Sequence, residues 1–243
     1  MNNHQLRPLE VNPATGEPFL RLRKHSNVII TPPRLSDCPR IASLIGDPII
    51  YEQLSGAPVP YLVEHAEAYM SRTKPQADAI FKALVDAEEQ EELLVVDGCP
   101  VSYIREIQSD GSDLLIGHIS EFLGPQGPKV IEWEHREELR EENLALELGD
   151  PEIVWTIKVF LSASHHGKGI ATDAINTVLH DWAIPRMGVR RLLAFPLEGN
   201  HGAVKLFLKS GFEFLFGCSD SSVLRGIRRR VNVLEWRLDD GEA

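Results

Sequence analysis

Cysteine is scarce in this chain: Cys38, Cys99 and Cys218 are an odd number set far apart. That scarcity excludes a disulfide framework and any paired-cysteine zinc spacing, and it points to a reducing compartment. Long apolar runs are missing too; none approaches the roughly 18 consecutive residues that a membrane span needs. The first thirty residues hold prolines and charges where a signal peptide would hold an apolar stretch, so the expected location is the cytosol or nucleoplasm. There is no internal repeat. Net positive charge is lacking as well, the formal total being -11, which disfavours general binding to nucleic acid, itself a polyanion. What is there is the make-up of a globular protein, 43% hydrophobic and 25% charged. Its 243 residues suit one large α/β domain, or an ordinary domain with an extension and an insertion.

The charge is unevenly spread. Between Lys158 and Lys209 seven bases stand against three acids, leaving that window at +4 and the remainder at -15. An anionic ligand would be best received there, although solvated basic helix faces account for the same charges. Along the chain, residues 1–18 read as a flexible tail. Short strands are predicted over 19–22 and 28–31, around the turn-forming Ser26-Asn27. A helix capped by Ser36 or Asp37 carries Ile41, Leu44 and Ile45 and stops at Gly46-Asp47-Pro48. Two more helices are expected over 63–72 and 77–87, then strands over 93–96, 101–107 and 113–119. Acids crowd the stretch from Gly124 to Glu152. It reads as a solvated, partly helical insertion at about 124–151, with an acidic rim that attracts a cationic amine as the functional alternative. The domain proper spans 19–238, and 239–243 form a C-terminal tail.

The most informative stretch follows. Residues 153–161 are β-branched and aromatic, as in a buried strand. A polar turn, Ser162-Ala163-Ser164-His165-His166-Gly167-Lys168-Gly169, leads into apolar residues at helical spacing, Ala171, Ala174, Ile175, Val178, Leu179 and Trp182, closed by Pro185 and Gly188. Another strand is expected over 189–195, then a helix begun by Asn200, then an antiparallel pair over 212–216 and 231–238. The glycines let a ligand approach the main chain closely. The following helix leaves its first amides without intrahelical partners and points its positive pole into the turn, which suits a pyrophosphate. A kinase-type P-loop is absent. The dinucleotide fingerprint fails because Thr172 stands where it needs a third small residue, and no acid lies about twenty residues on.

The third phosphate-binding pattern fits better. His166-Gly167-Lys168-Gly169-Ile170-Ala171 resembles the Arg/Gln-x-x-Gly-x-Gly/Ala motif of the GNAT acetyltransferase superfamily, with His166 departing from the usual first residue. The later block Asn200-His201-Gly202-Ala203-Val204-Lys205-Leu206-Phe207-Leu208-Lys209-Ser210-Gly211-Phe212 resembles that superfamily's Asn-x-x-Ala/Ser-x-x-Leu-Tyr-x-Lys-x-Gly-Phe helix. Pro33-Arg34-Leu35-Ser36-Asp37 and Pro58-Val59-Pro60-Tyr61 look like the branch of ribosomal-protein N-terminal acetyltransferases. The resemblance runs from Phe19 to Leu238 and is weakest over Gly124 to Asp150.

The resemblance implies a mixed, mostly antiparallel α/β sheet flanked by helices and splayed between two parallel strands. It implies acetyl-coenzyme A as co-substrate, no metal, and a primary amine as acceptor, on a protein N-terminus or a small molecule. Main-chain groups near Phe160 and Leu161 would pair with the pantetheine arm and polarise the thioester. His166, Gly167, Lys168, Gly169, Ile170, Ala171 and Thr172 would hold the pyrophosphate. Asn200 would cap its helix and touch the cofactor, and Lys205 would meet outer phosphates. Neither histidine of the turn suggests a metal pair, because adjacent side chains diverge. The family's tyrosine acid and alternative serine are replaced by Phe207 and Ala203. Glu152 and His118 are the candidates for a base, and each also has a structural reading. The same scaffold without turnover, a coenzyme A-binding or partner-binding relative, is the alternative.

Overall fold

The computed structural model describes residues 3–54, 56–123, 136–218, 223–224 and 227–238. Its strands are Glu10–Val11 (β1), Pro18–Arg21 (β2), Val28–Thr31 (β3), Tyr103–Ile107 (β4), Asp113–Leu123 (β5), Val154–Leu161 (β6), Arg191–Ala194 (β7), Glu213–Cys218 (β8), Val223–Leu224 (β9), Ile227–Arg228 (β10) and Val231–Arg237 (β11). Its helices are Cys38–Ile45 (α1), Pro48–Tyr51 (α2), Val63–Asp86 (α3), Arg136–Ala145 (α4), Ile170–Val178 (α5), Ile184–Met187 (α6) and His201–Lys209 (α7). Nine strands form one sheet in the order β1-β2-β3-β4-β5-β6-β7-β11-β8. Every neighbouring pair is antiparallel except β6 and β7, which run parallel. This is the expected mixed, mostly antiparallel architecture.

Both faces of the sheet are covered, so its central strands read as near-continuous apolar runs. Val28, Ile29, Ile30 and Thr31 of β3 are all buried. On one face Trp155, Ile157 and Leu161 of β6 share a core with Ile170, Ala174, Ile175 and Val178 of α5. On the other, Ile41, Leu44 and Ile45 of α1 and Ala66 and Met70 of α3 pack with Tyr103, Leu115 and Phe160. The predicted helix from Ile170 changes pitch rather than running straight. A π-helical turn, Leu179–Ala183, separates α5 from α6. Pro185 lacks the N–H that an α-helical ladder needs there, and widening the turn is one way to absorb the lost bond.

Three expectations need correcting. Residues 63–87 form one helix, α3, that runs through Pro75, not two. Residues 93–96 are not a strand; their main chain bonds to side chains and to a helix end instead. Leu94 N–H donates to Gln5 Oε1 at 2.9 Å, Arg186 Nη2 donates to Leu94 O at 3.1 Å, and Val96 N–H to Arg186 O at 2.8 Å. The third concerns the N-terminal segment, expected to be a flexible tail. Gln5 is fully buried there, its amide donating to Gln90 O at 3.1 Å and Glu92 O at 2.7 Å, and β1 pairs with β2. Polar side-chain bonds hold residues 3–7, and such bonds leave no apolar periodicity in the sequence.

Of the acidic insertion, α4 is helical as anticipated, while 124–135 lie outside the described residues, as do 239–243. Asn143 of α4 docks on the start of β6. Val154 N–H donates to its Oδ1 at 2.8 Å, and its Nδ2 donates to Val154 O at 3.1 Å. No helix among the described residues is long and apolar enough to cross a membrane.

Candidate active site

The parallel pair in the sheet is short. β6 meets β7 only at Val154↔Arg191, Trp155↔Leu192 and Thr156↔Leu193, because β7 stops at Ala194 while β6 runs on to Leu161. Pro196, just beyond, has no N–H to extend the ladder. On its other edge β6 stays zipped to β5, with His118 opposite Phe160 and Ser162 N–H reaching Ile116 O at 2.6 Å. Main-chain groups alternate edges along a strand. Phe160 and Ser162 therefore turn theirs toward β5, and Val159 and Leu161 turn theirs into the gap beside β7. The main-chain groups of Phe160 are therefore committed to the β5 edge and do not fit the pairing role expected of them.

The turn after β6 closes that gap. Gly167 has φ 74 and Gly169 φ 82, left-handed conformations that side chains disfavour. A Cβ on Gly167 would meet nothing within 4 Å, and one on Gly169 only His25 Cε1 at 3.8 Å. Backbone angle, not crowding, calls for glycine here. Gly169 starts α5 without any side-chain cap, so the first amides of the helix remain available to an anion. His166 is exposed, and its Nε2 donates to Leu161 O at 2.8 Å. The unusual first residue of the motif therefore braces the turn against the end of β6.

A cleft of about 340 Å³ runs along these groups. Phe160, Leu161, His166, Gly167, Gly169, Ile170, Ala171 and Thr172 line it, and so do Asn200 and Lys205 from the far side. Of the predicted cofactor residues, Lys168 alone stands outside that lining; it is exposed. Asn200 caps α7 by accepting Ala203 N–H at 3.0 Å. Sequence reasoning missed Ile50, the buried residue of α2 that also borders the cleft; its signal was too short to assign.

Phe207 is 4% exposed and packs edge-on against Phe212, centroids 5.1 Å apart. It belongs to the core and carries no proton to give.

A second pocket, of about 450 Å³, lies on the α1–α3 side and shares Val159 and Phe160 with the first. Its walls include Tyr61, His65, Tyr69, Arg72, Tyr103 and His118, of which His118 is the candidate base and Tyr61 lies in the Pro58-Val59-Pro60-Tyr61 block. The others carry no local motif. The His118 ring stacks on Tyr103 at 4.2 Å and meets Tyr69 and Phe160 edge-on at 6.0 Å. Burial pushes its pKa down to about 3, so the imidazole is neutral across the working range. The same desolvation raises the Tyr61 and Tyr103 phenols. Among the described residues, no three His, Cys, Asp or Glu side chains gather into a metal-binding group.

Glu152 does not join this site. It is exposed and precedes the first rung of the β6–β7 pair. At about 3.3 Å per strand residue the stretch of β6 from Val154 to Phe160 spans about 20 Å, and Glu152 lies in the turn beyond its far end. That distance removes it as a base for chemistry in the cleft.

The family profile of the acetyltransferase (GNAT) domain matches residues 27–213. The chain belongs to the GNAT acetyltransferase family. No curated protein matches this GNAT chain in sequence. Among solved structures it is similar to RimL, the ribosomal L7/L12 alpha-N-protein acetyltransferase, in complex with coenzyme A. That similarity is 13% identity and a TM-score of 0.59 over 91% of this chain and 98% of that one. It is also similar to the ribosomal-protein-S5-alanine acetyltransferase of Vibrio fischeri, with 14% identity and TM-score 0.57 over 89% and 96%. A third is the microcin C7 self-immunity acetyltransferase MccE in complex with acetyl-CoA and AMP, with 15% identity and TM-score 0.54 over 88% and 93%. At such identities the likeness is one of fold.

Proposed function

We propose that this GNAT domain transfers an acetyl group from acetyl-coenzyme A to a primary amine by direct attack. The observation that carries the reading is the gap between β6 and β7, into which Val159 and Leu161 turn their main-chain groups and which ends at the glycine turn of α5. The fit to the co-substrate rests on three features. The cradle at Gly167 is open, the helix amides beyond Gly169 are uncapped, and Lys205 and Lys209 border the cleft. Acetyl-coenzyme A supplies the thioester. The chain's own part is to grip the diphosphate at Gly167 to Thr172 and to align the arm along β6. Val159 and Leu161 offer fixed dipoles, which stabilise an oxyanion without reorganising.

The acceptor enters from the pocket on the other side of Phe160. Its nitrogen must arrive neutral. At neutral pH an α-amine of pKa about 7.8 is roughly a tenth to a fifth unprotonated, whereas a lysine amine near 10.4 is below about 0.1%. His118, neutral and bedded among aromatic rings, accepts an N–H without holding a proton, so it orients the amine rather than titrating it. That weak basicity favours α-amines and weakly basic small molecules over lysine side chains. RimL acts on a protein α-amine, which makes protein N-termini a natural first acceptor to try. Acetyl-coenzyme A as donor fits a cytoplasmic enzyme.

The second reading, a relative that binds coenzyme A without turnover, is favoured by one observation. The position of the family's acid is filled by Phe207, sealed in the core. Thiol release from acetyl-coenzyme A, measured over a panel of peptide N-termini and small amines, separates the two. Release with an α-amine acceptor supports the enzyme; tight coenzyme A binding with no release from any acceptor supports the binder. No binding at all would sink both.

A further inference from the structure

The loop joining β2 to β3 reaches across to the glycine turn from behind. Asp173, in the first turn of α5 and 3% exposed, accepts three bonds on Oδ2: Lys24 N–H at 2.8 Å, His25 N–H at 2.9 Å and His25 Nδ1 at 2.8 Å. The other ring nitrogen, Nε2, lies 3.1 Å from the carbonyl oxygen of Lys168. Both partners of the imidazole are acceptors. A neutral ring has one N–H and satisfies one of them; a doubly protonated ring satisfies both.

The carbonyl that His25 touches belongs to the same peptide unit as the Gly169 N–H. In a planar trans peptide the C=O and N–H point in opposite directions. A bond on Lys168 O from behind therefore aims Gly169 N–H forward, to the side where Gly169 borders the cleft. A donor on the carbonyl also polarises the amide and strengthens it as a donor. We propose that His25, held by Asp173, is a positioning residue that fixes and polarises the Lys168–Gly169 peptide for binding the diphosphate of coenzyme A. This rests on the reading of the cleft as the coenzyme A site.

A plain tether between loop and helix does not need the imidazole. Arg23 already ties the loop to the π-helical turn through its ion pair with Asp181, and its N–H donates to Thr177 Oγ1 at 3.4 Å. What His25 adds is the reach to Lys168 O. Asp173 faces the ring from α5, and Lys168 from the turn. Lys24 and Arg23 sit on its own loop, Arg23 being engaged by Asp181. Glu106 comes from β4, where Asn27 Nδ2 meets it at 3.4 Å and the bond from His165 holds its carboxyl below the usual range.

Calorimetric titration with coenzyme A tests this, on wild type and on His25→Ala, His25→Gln and Arg23→Ala. His25→Ala is expected to weaken binding about tenfold, the worth of one well-placed hydrogen bond. Its KM for acetyl-coenzyme A should rise with little change in kcat. His25→Gln, whose amide also donates, should recover part of the loss. Arg23→Ala should loosen the loop and leave affinity in place. Equal binding by wild type and His25→Ala overturns the clamp and leaves the coenzyme A site standing. An equal loss in Arg23→Ala reduces His25 to a loop tether and likewise overturns the proposal. Failure of wild type to bind coenzyme A removes both the site and the clamp.

Discussion

Burial sets the behaviour of His118 in acid. Its imidazole is 6% exposed and takes up a proton only at about 3, whereas in the unfolded chain it does so near 6.5. Between those values the unfolded state binds the extra proton, so this residue's contribution to stability is complete above about 6.5 and is lost as pH falls. At about 1.4 kcal/mol per pH unit, about 3 kcal/mol is lost by pH 4.5. His118→Phe keeps an aromatic ring against Tyr103 and removes the titration. Urea unfolding of the two proteins near pH 8 and near pH 4.5 should show the variant losing about 3 kcal/mol less on acidification. An identical acid loss in both would mean that the ring is solvated. At this scale the legible residues were those whose chemistry is local. The glycines of the turn and the cap Asn200 declare themselves within a few positions. His25 and Asp173 meet across 148 positions of chain, so no window of sequence could pair them. Glu152 misled for the opposite reason: it is near the motif strand in sequence and far from its working end in space.

Among the elements, β6 is served differently at its two ends. Toward Leu161 it gives up its β7 partner and opens the cleft; at Val154 it gains a partner from α4 through Asn143. The Asn143 carboxamide offers a donor and an acceptor in the geometry of a neighbouring peptide, just past the last β5–β6 rung at Leu123↔Thr156. Asn143→Ala leaves a main-chain N–H and C=O without those bonds. It should lower the unfolding free energy by about 1–3 kcal/mol and speed proteolytic cutting of the acidic insertion. Unchanged denaturation and cutting would show that α4 is held by other contacts. The insertion was legible as a partly helical stretch, but its anchor was not, because one asparagine among many acids carries no pattern. Residues 93–96 show the reverse failure. Leu-Leu-Val-Val has strand composition, yet Leu93 and Val95 are 46% and 41% exposed and the backbone bonds went to Gln5 and Arg186. Composition reports what fits a strand, not which strand is free to pair.

For the molecule as a whole, the N-terminal segment is part of the folded unit. Gln5 joins residues 90–94 to Arg186, whose buried guanidinium donates to Gln5 O, Arg7 O and Leu94 O, lies over the Trp182 ring, and has its pKa lowered by burial. Gln5→Ala strips bonds from Leu94 N–H and from two carbonyls at once. It should destabilise by roughly 2–4 kcal/mol, since unmatched buried polar groups carry their full desolvation penalty. Equilibrium denaturation measures this, and a loss under about 0.5 kcal/mol would mean that water replaces the amide. The overall architecture was the most legible level, because the glycine turn and the Asn200 block, in fixed order, carry the resemblance that implies this topology even where single boundaries are wrong.

The short contact between β6 and β7 has a mechanical consequence. Three rungs join a plank of six strands to a plank of three, and an extended molecule with amides of its own, laid between them, would act as a surrogate tenth strand. Occupancy would then stiffen the joint between the planks by mass action, and the Val159 and Leu161 amides, quick to trade their hydrogens with solvent in the empty joint, would slow down when it fills.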